Sequence, residues 1–259
     1  MKALQVHLVP SRKDNYIFLL DNGAGECVVV DPGEDDPVRR ALAKHDLTPV
    51  AVWLTHHHFD HIEGHEALKK RHPDIQTYGF TGDSQRLPDL DHALHDGDMF
   101  TAWGHEVRMR FVPGHTLGHV FYHIPDANIA FVGDTLFAMG CGRLFEGDPA
   151  MMYTSLQTIN QLPKDTAIYC AHEYTLDNAR FAMAHEPGNP ELQARLKAVE
   201  EARANGVPTI PTTIGLERAT NPFMRCMSAE IRETLGLRDD SGEIATFGAL
   251  RAAKDIWRG

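Results

Sequence analysis

Residues 50–61 read Val-Ala-Val-Trp-Leu-Thr-His-His-His-Phe-Asp-His. The apolar run 50–54 has the composition of a buried strand. A helical pattern follows over 62–71, halted by His72-Pro73. The polar stretch between them is therefore a loop at a strand end, where a rigid scaffold presents functional groups. His56 and His58 are two residues apart and point the same way in an extended segment. Asp60 and His61 come next, on the turn into the helix. Imidazoles and a carboxylate this close together are hard to account for as packing; they suit divalent zinc, iron or manganese.

One loop cannot complete such a site, so partners are expected at later strand ends. Three strands, predicted over 107–112, 128–133 and 166–170, are followed by Pro113-Gly114-His115, Asp134-Thr135 and Ala171-His172-Glu173. Each alone reads as a turn or cap residue; in series they point to a shared site.

Further strands are predicted over 3–9, 15–20, 26–31 and 119–124, with helices over 35–46 and 149–161. After about residue 173 the pattern turns helical, over 174–186, 190–205, 228–235 and 242–256, with a Pro-interrupted connector at 208–214. The expected fold class is α/β (α+β): a domain over residues 1–173, then a smaller helical domain over 174–259.

Lys plus Arg number 25 against 36 Asp plus Glu, a formal charge of −11 that argues against a nucleic-acid or anionic-membrane partner. The 4 cysteines are scattered without a C-x-x-C pair, so neither a disulfide framework nor a thiolate zinc site is expected, and a cytoplasmic location is. No signal peptide or membrane-spanning run is read from the sequence.

The H-x-H-x-D-H string with later His, Asp and His residues at strand ends resembles the metallo-β-lactamase superfamily. That resemblance implies an αββα sandwich with two divalent metal ions at one edge, zinc first, iron or manganese as alternatives. One ion would be held by His56, His58 and His115, the second by Asp60, His61 and His172, with Asp134 bridging. His57 is the variable position of the motif, and His119 is expected to be structural.

Within the superfamily the chain is similar to glyoxalase II, the hydroxyacylglutathione hydrolases. The strings that carry this run along the whole chain: Asp14-Asn15-Tyr16, Gly140-Cys141-Gly142-Arg143, His172-Glu173-Tyr174, Asn221-Pro222-Phe223-Met224-Arg225 and Arg251-Ala252-Ala253-Lys254. The resemblance implies glutathione contacts from Arg143, Tyr174, Arg251 and Lys254. Arg143 stands where many members have Lys, and Phe145 where they have Tyr. Arg251 and Lys254 are three apart, on one helix face.

The implied reaction is hydrolysis of S-D-lactoylglutathione to D-lactate and glutathione, the second step of methylglyoxal detoxification. A metal-bridged hydroxide would attack the thioester, with Asp60 and Asp134 the catalytic carboxylates. A thiolate leaves without obligatory protonation, matching the lack of a general acid beside the motif. Asp31 either orients a ligand imidazole or simply closes its own turn. The expected partner is the glutathione thioester, met by a monomer. A lactonase of the same fold and a non-catalytic metal-binding protein are the competing readings, and turnover separates them.

Overall fold

The computed structural model describes residues 3–238 and 240–259. They fall into two units.

The first unit comprises residues up to Phe111 together with Gly118–Gly133. Its first sheet orders β1 (Gln5–Ser11), β2 (Asn15–Asp21), β3 (Glu26–Val30), β4 (Thr48–Trp53), β5 (Gln76–Phe80) and β6 (His92–Leu94) side by side. β1 to β3 are antiparallel neighbours, whereas β3 to β6 run parallel. The crossover from β3 to β4 is α1 (Asp35–His45); α2 (Phe59–Ile62) and α3 (His65–Arg71) follow β4. A second sheet in this unit is an antiparallel meander of β7 (Met99–Ala102), β8 (His105–Phe111), β9 (Val120–Ile124) and β10 (Ile129–Gly133).

The continuous apolar runs have a simple cause. Cys27 and Val29 of β3, Val52 of β4 and Leu54 just after it pack with Val38, Leu42 and Leu68 of α1 and α3. The alternate side chains face the second sheet. There Trp53 stacks on Tyr122 at 5.2 Å and meets Phe100 edge-on at 5.5 Å, and Phe18 meets Phe131 at 5.6 Å. The Tyr122 hydroxyl donates to the Leu54 carbonyl at 3.0 Å, so its polar end is satisfied inside the sandwich. Both faces of β3 and β4 are covered, which erases the alternation seen in half-exposed strands.

The second unit comprises Val112–Leu117 and the chain from Asp134 onward. It holds a short hairpin, β11 (Leu136–Phe137) and β12 (Gly140–Cys141), then α4 (Pro149–Asn160) and β13 (Ala167–Cys170). α5 (Thr175–His185) and α6 (Pro190–Ala204) follow, then β14 (Thr212–Thr213), antiparallel to β13. The chain ends with α7 (Ile214–Thr220), α8 (Ala229–Thr234) and α9 (Glu243–Ile256). Asp148 and Asn189 cap α4 and α6, each with Pro at the first helical position. An aromatic core joins the helices: Phe223 lies 5.5 Å from Phe247 and 6.1 Å from Phe181, which meets Trp257 at 5.5 Å.

The structure departs from the sequence reading in its smallest elements. In place of one helix over 62–71 there are two: α2, which already contains Asp60 and His61, and α3, with Glu63-Gly64 between them. The 208–214 connector ends in a two-residue strand and α7, a seven-residue helix that Thr213 caps by accepting from Leu216 N–H at 3.2 Å. Strands β6, β11 and β12, two or three residues each, are too short for periodicity to reveal them, and β5 and β7, which the sequence reading also passed over, carry no unbroken apolar run.

Candidate metal centre

In the first unit, β3 and β4 are parallel neighbours with Val30 opposite Trp53, so the loops leaving their ends start side by side. That register places Asp31 beside Thr55. Asp31 takes a left-handed backbone, φ 51°, and its N–H donates to the Trp53 carbonyl at 3.1 Å. Its carboxylate accepts from Thr55 N–H at 2.8 Å, Thr55 Oγ1 at 2.7 Å and His61 Nδ1 at 3.0 Å.

These bonds determine proton positions. The carboxylate makes His61 Nδ1 the donor, which leaves Nε2 with a lone pair. The single Thr55 hydroxyl proton is committed to Asp31, so Thr55 Oγ1 accepts from His56 Nδ1 at 3.1 Å, and His56 Nε2 is also a lone pair. The His56 ring lies 4.1 Å from that of His61 and 4.6 Å from that of His58. His56 and His58 each offer a ligand atom within 4.8 Å of the other's, as do Asp60 and His61. Asp60 accepts from Asn15 Nδ2 at 2.8 Å, which explains Asn15 in the Asp14-Asn15-Tyr16 string. Gly33 has to be glycine, because a Cβ there would sit 1.8 Å from the Asp60 carbonyl oxygen.

His57 turns away from this group. Its Nδ1 lies 3.0 Å from the buried Asp83 carboxylate, which also accepts from Arg86 Nε at 2.5 Å. His119 stacks on His56 at 4.6 Å. Phe59 is 60% exposed beside Asp60, with the Arg12 guanidinium 4.8 Å from its ring centre.

In the second unit, His115 Nδ1 donates to the Arg143 carbonyl at 2.8 Å, so His115 Nε2 carries a lone pair. That atom faces Asp134 Oδ2 at 3.4 Å, and His172 Nε2 lies 3.3 Å from the same oxygen. In a neutral ring this sets a lone pair against a carboxylate oxygen, an arrangement that a cation shared by the two groups, a proton or a metal ion, relieves. His61 Nε2 faces Asp60 Oδ2 in the same way at 3.8 Å. The donor set, three imidazoles with a fixed tautomer and two carboxylates, thus fits a divalent ion in both units.

The residues expected to meet glutathione also lie in the second unit. Tyr174 stacks on His172 at 4.8 Å and 8°. Arg143 is exposed, its Nε 3.5 Å from Asp255, which also pairs with Arg251 Nη2 at 3.1 Å. Lys254 pairs with Asp177, and burial pushes its ammonium pKa down, partly offset by that carboxylate. Arg251, expected to meet glutathione, is buried, with Nη1 donating to the Cys141 carbonyl at 3.0 Å and Nη2 on Asp255, so its guanidinium is engaged by protein partners. Burial lifts the Cys141 thiol to about 11, which removes it as a nucleophile at neutral pH. Sequence reasoning did not anticipate Thr55, Asp83, Asp177 or Asp255. Only the H-x-H-x-D-H neighbourhood offered a signal, and that only for Thr55.

Two family models divide the chain between them. The metallo-beta-lactamase superfamily matches residues 12–172, and the hydroxyacylglutathione hydrolase C-terminus matches residues 173–257. A hydroxyacylglutathione hydrolase of Photobacterium profundum is 44% identical, over 97% of this chain and 99% of its own length. The chain belongs to the hydroxyacylglutathione hydrolase family. Its metallo-β-lactamase fold, with the C-terminal helical segment of that family, is shared in outline by known structures. The BLEG-1 B3 metallo-beta-lactamase superposes with TM-score 0.67 at 25% identity, over 85% of this chain and 100% of that one. TTHA1623 in a di-iron-bound form superposes with TM-score 0.61 at 25% identity, over 83% and 98%. In this family member the superfamily fold and the His and Asp clusters support divalent metal ions. Among the described residues, no helix is long and apolar enough to cross a membrane.

Proposed function

We propose that this chain hydrolyses S-(2-hydroxyacyl)glutathione thioesters, with S-D-lactoylglutathione as substrate and D-lactate and glutathione as products. The observation that carries this is the match of residues 173–257 to the hydroxyacylglutathione hydrolase C-terminus. The metal-binding half alone is common to many superfamily activities. The reaction is the second step of methylglyoxal detoxification, run in the cytoplasm by a monomer.

His56, His58 and His115 would hold one ion, Asp60, His61 and His172 the other, with Asp134 shared between them. Zinc is the first choice, iron or manganese the alternatives. Two such ions, when bound, supply hydroxide at neutral pH and polarise the thioester carbonyl. The residues of the chain do the rest. Asp31 and Thr55 keep the Nε2 lone pairs of His56 and His61 available, and the Arg143 carbonyl does so for His115. Asp60, held by Asn15, and Asp134 orient the nucleophile. Arg143 and Lys254 offer cationic groups to the anionic tripeptide, and Tyr174 an aromatic face. Arg251 supports that segment through Cys141. The domains follow the chemistry: residues 1–173 are catalytic, and 174–259 are helical and glutathione-binding.

The test is thioester hydrolysis by purified, metal-loaded protein, followed as loss of S-D-lactoylglutathione. Activity should fall by orders of magnitude in Asp134→Ala and His58→Ala. A rate no faster than buffer would end the assignment.

A further inference from the structure

The β11–β12 hairpin is too short to hold itself. It has two residue pairs, Leu136 with Cys141 and Phe137 with Gly140, and an isolated hairpin is marginal even when much longer. Its turn residue Met139 is a non-glycine at φ 55°, a strained conformation that persists only where the surroundings enforce it.

The enforcement comes from Glu217 in the middle of α7 and from Asn221 just beyond its end. Glu217 is 0% exposed and both carboxylate oxygens are saturated. Oε2 accepts from Met139 N–H at 2.8 Å and from Asn221 Nδ2 at 2.9 Å. Oε1 accepts from Arg195 Nη2 and Thr212 Oγ1, both at 2.6 Å. Asn221, also 0% exposed, donates through Nδ2 to the carbonyls of Phe137 at 3.2 Å and Gly140 at 2.9 Å. One carboxylate and one amide therefore grip the hairpin on both strands and at the turn.

The ends of the hairpin lead to the ligands of the second unit. Gly142 N–H donates to the Thr135 carbonyl at 3.2 Å, closing the loop just after Asp134. A Cβ on Gly142 would lie 2.0 Å from the Asp134 carbonyl oxygen, so the two backbones touch. The next carbonyl, that of Arg143, accepts from His115 Nδ1 at 2.8 Å. A shift of the hairpin would thus displace Asp134 and release the His115 ring from the bond that determines its tautomer.

We infer that Glu217 and Asn221 are positioning residues for the metal ligands Asp134 and His115, acting through the backbone of the β11–β12 hairpin. The inference rests on the reading of those two residues as ligands. It assigns a task to the Asn221-Pro222 segment, which lies far along the chain from every proposed ligand. Holding the hairpin by apolar packing would cost less desolvation than burying a carboxylate, an amide and a guanidinium together. The polar grip supplies directed bonds that fix the backbone in place.

The experiment measures zinc affinity of the full-length protein by chelator competition at 25 °C, beside the thermal midpoint of the metal-free form. Asn221→Ala should weaken zinc about 10-fold or more, the usual effect of losing a group that orients metal ligands. Asn221→Ser, which keeps a shorter donor, should fall between wild type and Ala and serves if Ala does not fold. The control is Arg225→Ala, which breaks the Arg225–Glu186 pair of the same helical segment without touching the hairpin. It should lower the midpoint yet leave zinc affinity within about twofold. Equal losses in Asn221→Ser and Arg225→Ala would reduce the role to general stability and overturn the inference, as would unchanged affinity in both Asn221 variants. Wild-type protein that holds no zinc would instead overturn the ligand reading beneath it.

Discussion

Replacing Asp31 by Asn tests the proton logic of the first unit with almost no change of shape. All three neighbours of the Asp31 carboxylate are donors: Thr55 N–H, Thr55 Oγ1–H and His61 Nδ1–H. An amide has one acceptor oxygen. Its lower-energy orientation keeps that oxygen toward Thr55 Oγ1 and His61 and turns the NH2 against Thr55 N–H. One bond is lost with two donors buried face to face, a cost of about 1–3 kcal/mol. The bond to His61 survives without its charge, at about half its strength. His61 is then freer to carry its proton on Nε2, the atom proposed to meet the metal. The expected result is a 10- to 100-fold loss of zinc affinity, about 1.4–2.7 kcal/mol, by chelator competition at neutral pH. The metal-free form should melt only a few degrees lower. A zinc affinity within threefold of wild type would refute the account of how Asp31 and Thr55 hold the imidazoles.

Arg143→Ala combined with Lys254→Ala should raise KM for the thioester and leave kcat within a few fold in steady-state assays, because both cations act away from the reacting carbon. Arg251→Ala should behave differently, lowering the thermal midpoint, since its guanidinium is buried on the Cys141 carbonyl. Gly33→Ala should destabilise the protein by about 1–3 kcal/mol or more in denaturant titration, because its Cβ meets backbone rather than a flexible side chain. His123 is buried on β9 and its pKa is pressed down to about 4, first by burial and then by Arg108. The folded value lies below the unfolded one. The contribution of the neutral imidazole is therefore complete above about pH 6.5 and fades as pH falls toward 4, by up to about 3 kcal/mol. His123→Leu should flatten denaturation midpoints across that window, and an unchanged slope would exclude His123 as a source of acid lability.

Metal chemistry was legible in the linear sequence because it is a local demand. His56, His58, Asp60 and His61 must lie within a few residues at the end of a buried strand, and both the strand and the string are visible as composition. The later ligands proposed here were legible as polar residues at the ends of apolar runs. β3 and β4 were readable as apolar runs, and the structure supplies the reason, since strands covered on both faces lose their alternation.

The proton positions were a tertiary matter. Asp31 reads equally well as a turn residue; only the parallel register of β3 and β4 puts its carboxylate against Thr55 and His61. Arg251 looks like a surface cation three residues from Lys254, and its burial on the Cys141 carbonyl depends on where α9 lies relative to β12. Glu217 sits 78 residues from Met139, and Asn221 81 residues from Gly140, separations at which no periodicity carries information. The sequence by itself determined which residues have the chemistry to bind metal. The tertiary structure decided which nitrogen of His56, His61 and His115 offers its lone pair. That choice depends on the hydrogen bond made by the other ring nitrogen, and its partner comes from elsewhere in the fold.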